Sequence, residues 1–199
     1  MQQIQCDGCG QLIPGYDIVN YGSLERGYRK LCSSCFNTEV AKLGDLAGFE
    51  HLHFEPVVMT DIAGDVHEFH FRTRLMGTSV ALEAFELLDE HPSGYRFQAL
   101  GDPEGDVMAL LGRLIEKMRR ALSIKHLEDG EFGLQIADHQ TVRGVVEWDD
   151  ASDGRVPLLL IDGREITWDE FGRMLMSFEG WQFKLEMHDI SEELRVHAT

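Results

Sequence analysis

The four cysteines of the chain are the residues whose type and spacing point most directly to chemistry. They form two Cys-x-x-Cys pairs, and 22 residues separate the pairs. Each pair lets two thiolates converge on one ion from a tight turn, and two pairs complete the tetrahedral sulfur shell that suits Zn²⁺. The spacing therefore predicts one structural zinc ion held by Cys6, Cys9, Cys32 and Cys35.

Three other uses of the cysteines compete with zinc. Disulfides suit secreted chains, whereas residues 1–6 show neither the basic nor the apolar region of a signal peptide. A thioredoxin-like dithiol has one Cys-x-x-Cys near a βαβ unit, not two pairs without one. An iron–sulfur centre is the main alternative metal site, because four thiolates also hold iron. Gly8 and Gly10, on either side of Cys9, supply the backbone freedom that the first turn needs.

Histidines offer a second set of metal ligands. His51 and His53 would share one face of an extended segment, with Glu55 beside them. This pattern supports the hypothesis of a metal-dependent enzyme with a site near His51 and His53. His67 and His70 are three residues apart, so on a strand they would point to opposite faces and could not chelate one ion together. The alternative is that these histidines are exposed or hydrogen-bonded beside strands.

No catalytic motif is present in the sequence. We find no Gly-x-Ser-x-Gly elbow, no phosphate loop and no dinucleotide fingerprint, and the zinc site uses every cysteine. An acidic loop around Asp149 fails the EF-hand pattern, because Ala151 and Leu160 occupy ligand positions 3 and 12. We therefore predict no catalytic residue, and the leading hypothesis is a non-enzymatic adaptor or regulatory protein.

The charge of the chain bears on its partners. The net charge is −17, of which residues 1–50 carry −2 and the rest −15. Such an acidic chain lacks the basic surface that attracts phosphate backbones, so we expect a protein partner, with a homo-oligomer as one form of it. The candidate partner-binding residues are Arg26, Arg29 and Lys30, and a nucleic-acid-binding regulator using them is the alternative.

No apolar run is long enough to cross a membrane, and the expected compartment is the cytoplasm.

The elements around the cysteines complete a small zinc-binding module over residues 1–47. Ile18–Tyr21 and Tyr28–Leu31 have the composition of two strands, and residues 36–44 have that of a short helix ending at Gly44. A knuckle, a hairpin and a helix with the last two ligands resemble a treble-clef zinc finger, and more loosely one half of a LIM domain. The resemblance covers residues 6–37 and implies a zinc-held scaffold without a particular reaction.

The remaining residues, 54–199, predict an α+β domain with a mostly antiparallel sheet and two helices. The helices are expected near Pro103 and after Thr167, where Glu170 completes a capping box. Asp162-Gly163 predicts a tight turn. Although the composition of residues 79–88 favours a helix, we predict strand–turn–strand over residues 79–100, with the turn at 92–94. The other predicted strands cover residues 56–60, 68–75, 141–148, 156–161 and 181–187.

The layout of the whole chain resembles a bacterial family of unknown function that joins a four-cysteine zinc finger to a C-terminal domain. Residues 27–36 and 168–185 carry this resemblance. It implies a two-part protein with one zinc site, and it brings no catalytic residues.

Overall fold

The structure, a computed structural model, describes residues 3–46, 48–131 and 133–192, so residues 1, 2, 47, 132 and 193–199 of the two predicted domains lie outside the described residues. Within these ranges every strand pairs antiparallel with its neighbour, in five small sheets. The strands are β1 (Gln3–Gln5), β2 (Leu12–Pro14), β3 (Ile18–Ser23), β4 (Gly27–Cys32), β5 (Val57–Thr60), β6 (Val66–Met76), β7 (Ser79–Leu88), β8 (His91–Gly101), β9 (Leu127–Gly130), β10 (Gly133–Ile136), β11 (Val145–Trp148), β12 (Pro157–Ile161) and β13 (Arg164–Thr167). The α-helices are α1 (Ser33–Leu43), α2 (Val107–Leu122) and α3 (Trp168–Leu175). The expected mixture of helices with mostly antiparallel strands is confirmed.

The N-terminal part consists of two hairpins and one helix. β1 pairs with β2, and β3 pairs with β4 in a register that places Ile18 opposite Cys32. The predicted strands around residues 18–31 are therefore confirmed. α1 begins directly after Cys32, three residues earlier than predicted, because the Cys32 side chain caps it, and Gly44 follows its last turn as expected.

The largest sheet has the order β5-β6-β7-β8, and α2 packs on one of its faces. The odd-numbered residues of β6 from 69 to 75 are buried, as their alternation predicts. α2 starts after Asp106, whose carboxylate accepts hydrogen bonds from the backbone N–H groups of Met108 and Ala109. Its buried stripe is Leu110, Leu114, Met118 and Leu122, four side chains at helical spacing.

The region 79–100 forms two strands, as predicted, but its turn lies elsewhere. The chain reverses at Asp89 and Glu90, which both have positive φ (48° and 71°), as in a two-residue hairpin turn. Pro92 therefore lies inside β8 rather than in the turn. The helix-favouring composition of β7 is overridden because this strand lies between β6 and β8, where Ala81, Leu82 and Ala84 are buried on the two faces of the sheet.

Residues beyond α2 form a third part with its own buried cluster. The sheet β11-β12-β13 and the hairpin β9-β10 pack with α3 around Leu127, Ile161, Ile166 and Met174. The predicted tight turn is confirmed at Asp162 and Gly163, which both have positive φ. The capping box of Thr167 and Glu170 is also confirmed. The buried side chains of the region predicted as one domain thus form two clusters rather than one.

The predicted strand over residues 181–187 is wrong. The segment has no regular secondary structure, and no strand of the described residues pairs with it. Its alternating pattern fits a strand, but a strand also needs a neighbour that supplies backbone hydrogen bonds. The strand predicted over residues 141–148 is shorter than expected, since only Val145–Trp148 pairs with β12.

Buried polar contacts join the three parts. The side chain of Asn37 on α1 is fully buried against β6, where it bonds to the backbone of Thr73 and Leu75. Asp61, after β5, has a buried carboxylate paired with the ammonium group of Lys125, which precedes β9.

No helix in the described ranges combines the length and the apolar character that crossing a membrane requires.

Candidate metal centre

The first two cysteines lie on a tight turn between β1 and β2. The N–H of Cys6 donates to the carbonyl of Gln11 (2.9 Å), and the N–H of Gly10 donates back to the carbonyl of Cys6 (2.8 Å). Gly10 has φ +74°, a conformation that favours glycine, so its predicted role in the turn is confirmed. The turn is tied to β4 through Asp7, which exchanges two hydrogen bonds with the backbone of Lys30.

The other two cysteines lie where β4 ends and α1 begins. The Cys32 sulfur accepts a hydrogen bond from the backbone N–H of Cys35 (3.4 Å) at the start of the helix. Sulfur ligands at this position face the unpaired N–H groups of the first helical turn, which favour negative charge. The end of β4 and the start of α1 therefore position the second pair of cysteines relative to each other.

The four side chains predicted as ligands converge on one point. Their sulfur atoms all lie within 4.8 Å of one another, and no two of them form a disulfide. Tetrahedral coordination with metal–sulfur bonds of about 2.3 Å places the sulfurs about 3.8 Å apart, which is compatible with this cluster. In the part of the chain that the structure describes, this is the one group of three or more metal-ligating side chains that can hold an ion. The donor set is all sulfur, which suits a soft or borderline metal.

Gly8 makes room for the cluster. A Cβ atom at this position would lie 2.9 Å from the sulfur of Cys35 and 3.0 Å from its Cβ. Such contacts require one of the groups to move, so glycine at position 8 allows the first turn to approach the start of α1. Its role is space rather than unusual backbone conformation, which differs from the role expected from the sequence.

The thiol pKa values of Cys6, Cys32 and Cys35 are shifted in different directions. Burial by itself raises the pKa of the Cys6 thiol, but backbone N–H donors, chiefly those of Cys32, Cys9 and Gly8, lower it from 9.0 to about 6. Burial and the neighbouring thiols raise the pKa of Cys35 well above its usual range, and burial raises that of Cys32. A bound dication would compensate the charge of four thiolates, since thiols that ligate a metal are deprotonated.

An apolar layer of side chains packs against the cysteine cluster. Leu31 is fully buried against Cys6 and Cys32, and the partly buried rings of Tyr21 and Phe36 meet edge-to-face at 5.3 Å. This layer is small, so the N-terminal part lacks a core large enough to hold its two hairpins by apolar packing alone.

The three basic candidate residues do not form one surface. Arg29 and Lys30 are consecutive in β4, so their side chains point to opposite faces, and Arg26 lies in the turn between β3 and β4. The guanidinium of Arg29 forms an ion pair with Glu39 of α1 at 2.5 Å. Among the residues that the structure describes, neither Arg26 nor Lys30 forms an ion pair with an acid.

The histidines take structural positions. The Nδ1 atom of His51 accepts a hydrogen bond from the Asn37 amide (2.8 Å), and burial lowers the pKa of this imidazole. His51, His53 and Glu55 do not form a metal-ligating group among the described residues. His67 contacts Asp61 and Glu86, whereas His70 contacts Glu68, which agrees with their expected opposite faces.

Sequence reasoning missed Asn37 and the pair Asp61–Lys125. Asn37 lies in the middle of a helix, a position that asparagine disfavours, and this local mismatch is the signal that could have drawn attention to it. Asp61 and Lys125 are 64 positions apart, and both lie in segments between regular elements, so no local pattern indicated their contact.

The chain matches three protein-family models, each described as a domain of unknown function. Residues 5–47 match DUF7685, residues 50–123 match DUF7686, and residues 126–192 match DUF7713. No curated protein and no solved structure matches the chain. The boundary between the second and third matches falls directly after α2, between the two buried clusters described above.

Proposed function

We propose that the chain is a non-enzymatic adaptor, in which a zinc ion bound by Cys6, Cys9, Cys32 and Cys35 holds a treble-clef module that binds another protein. The observation that carries the proposal is the convergence of four sulfur atoms within 4.8 Å on a turn, a strand end and a helix start. Four protein ligands fill a tetrahedral shell and leave no position for water or substrate, which is typical of structural rather than catalytic zinc.

The order of elements supports the treble-clef assignment. A turn carries the first pair of ligands, a hairpin follows, and the second pair lies at the start of a helix. The matches to domains of unknown function supply no reaction, so the adaptor role depends on the closed ligand shell and on the surface of the module.

The tip of the hairpin β3-β4 is the surface that we assign to the partner. Leu24 is 93% exposed and Tyr28 is 61% exposed, and Arg26 lies between them in sequence. Exposed apolar side chains with an adjacent cation are typical of protein-binding surfaces. The ion pair between Arg29 and Glu39 leaves less positive charge for a phosphate backbone, which favours a protein over a nucleic acid as the partner.

A capture experiment with the full chain tests the proposal. We expect the zinc-loaded protein to retain the same partner protein repeatedly, and the variant Leu24→Asp to lose it while keeping its metal. Met108→Asp is the matched control, because Met108 is also exposed but lies at the start of α2. Equal capture by wild type and Leu24→Asp would contradict the assigned surface. Turnover of a substrate that depends on the metal would contradict the adaptor role.

A further inference from the structure

The segment that follows α3 exposes a regular series of apolar side chains. Trp181, Phe183, Leu185 and Met187 alternate with polar residues, and between 62% and 89% of each apolar residue is exposed. Alternation of this kind is typical of a strand with one buried face. Because the segment has no strand beside it within the described residues, this apolar face is uncovered.

Further large apolar side chains are exposed on α3 and in the turn after it. Trp168, Leu175 and Met176 are exposed there, and the ring of Trp181 meets that of Phe178 at 5.6 Å. Between 44% and 89% of each of these seven residues is exposed, and at about 150 Å² for a large side chain they expose roughly 700 Å² per chain. Stable protein interfaces bury about 800 Å² per partner, so the exposed surface has the size that a dimer needs.

We propose that residues 181–187 pair antiparallel with the same residues of a second copy of this chain, about a two-fold axis at Leu185. In this register Leu185 lies opposite its own counterpart, and Phe183 lies opposite Met187 of the second copy. Lys184 lies opposite Glu186 of the second copy, and the symmetry repeats this ion pair. An interface of this kind closes on itself and yields a dimer rather than a filament.

The charged residues of the segment favour this register over registers that are shifted along the strand. A register centred on Lys184 would place two lysines opposite each other, which is unfavourable in a sheet. A slip by one residue would set apolar side chains opposite charged ones. The side chains of Lys184 and Glu186 lie 2.5 Å apart within one chain, which places both on the same side of the segment, as this register requires.

The structure also provides support for the paired segment. An isolated two-stranded ribbon is marginally stable in water, so it needs an apolar surface on which to pack. The ring of Phe178, in the turn after α3, packs against Trp181, and the exposed Leu175 and Met176 come just before Phe178 in the chain. At the other end, the ammonium group of Lys117 on α2 donates to the carbonyls of Ile190 (2.5 Å) and Glu192 (2.9 Å). These bonds fix the position of the chain just after residues 181–187. None of these contacts involves the metal centre, so the dimer does not depend on the proposed function.

Sedimentation equilibrium of the full chain, measured from low to high micromolar concentration, tests the pairing. We expect wild type to dimerise reversibly. Lys184→Glu places two acids on the paired segment and Glu186→Lys places two bases there, so each variant alone should dimerise about tenfold more weakly. An equimolar mixture of the two variants should regain wild-type association, because each acid then faces a base of the other chain.

Two further variants complete the experiment. Leu185→Asp should prevent dimerisation both alone and in mixtures, since it places two carboxylates at the two-fold axis. Met108→Asp, an exposed apolar residue of α2 outside the surface, should leave the association unchanged. The proposal is overturned if wild type stays monomeric at high micromolar concentration. It is equally overturned if the two charge variants dimerise like wild type, or if mixing them restores nothing.

Discussion

The side-chain amide of Asn37 donates a hydrogen bond to the backbone carbonyl of Thr73 at 2.7 Å. Its oxygen accepts a second bond from the N–H of Leu75 at 2.8 Å. β5 pairs with β6 only as far as Phe69, so among the described residues the edge of β6 beyond Phe69 has no neighbouring strand. The Asn37 amide takes the place of a peptide group of the missing neighbour, and it fixes α1, which is capped by Cys32 and contains Cys35, onto the central sheet.

Replacing Asn37 by alanine should destabilise the zinc-loaded chain by about 3 kcal/mol. The substitution leaves a buried carbonyl and a buried N–H without partners, and each such group costs about 1–3 kcal/mol. The measurement is the free energy of unfolding in denaturant. Thr38→Ala is the control, because Thr38 is exposed on the same helix and should change stability by no more than about 0.5 kcal/mol. A loss below about 1 kcal/mol for Asn37→Ala would show that this contact does not join the two parts.

Replacing Gly8 by alanine should weaken metal binding at least about tenfold. The added methyl group would lie 2.9 Å from the sulfur of Cys35 and displace either that sulfur or the turn. A shift of one ligand impairs a geometry that needs all four sulfurs. Competition with a chromophoric chelator gives the affinity. Gly112→Ala is the control, since a Cβ at Gly112 meets nothing within 4 Å and the change should stabilise α2 by roughly 0.5–1 kcal/mol. Unchanged metal affinity in Gly8→Ala would mean that the cluster is looser than described.

Replacing Lys125 by methionine should cost roughly 3 kcal/mol at neutral pH. It leaves the buried carboxylate of Asp61 without its cation, although two backbone N–H groups and His67 still contact it. Burial alone would raise the pKa of Asp61, but Lys125 and the other donors hold it below its usual range.

The pH dependence of that loss has a definite sign. Because the pKa of Asp61 is lowered on folding, its contribution is complete above the unfolded pKa of about 4 and disappears as the pH falls through the folded pKa. The stability difference between wild type and Lys125→Met should therefore be largest near neutral pH and shrink in acid. Lys42→Met, on the exposed side of α1, is the control. A difference that grows in acid would contradict the assigned pair.

The intact protein should not bind DNA or RNA tightly at physiological salt. Residues beyond 50 carry a net charge of −15, which repels phosphates, and one of the three arginine and lysine candidates is paired with an acid. Fluorescence anisotropy with mixed-sequence duplex and single strands measures this. Sub-micromolar binding that weakens in Arg26→Ala would instead favour the nucleic-acid regulator.

Local patterns in the sequence predicted the features that depend on local geometry. The Cys-x-x-Cys pairs, the capping box of Thr167 and Glu170, and the turn at Asp162-Gly163 each need only residues within a few positions, and the structure has all of them where expected. The metal as zinc, the treble-clef class, the bacterial origin and the cytoplasmic location stay predictions.

Features that depend on distant partners could not be predicted. Asn37 is polar and helical, and its burial follows only from the position of β6, 36 residues away. Gly8 looks like any turn glycine until Cys35 is packed against it. Residues 181–187 have the pattern of a strand, but the pattern does not say which chain supplies the neighbouring strand.

Native mass spectrometry of the purified full chain, combined with thermal unfolding before and after chelation, tests the central claim most directly. We predict one zinc ion per chain, loss of that ion in each of the four Cys→Ser variants, and unfolding of the N-terminal part when the ion is removed. Structural zinc of this kind supplies about 10–16 kcal/mol at neutral pH, so the N-terminal part cannot keep its fold without it. A metal-free chain with two disulfides, or with four free thiols and unchanged thermal unfolding, would contradict the account.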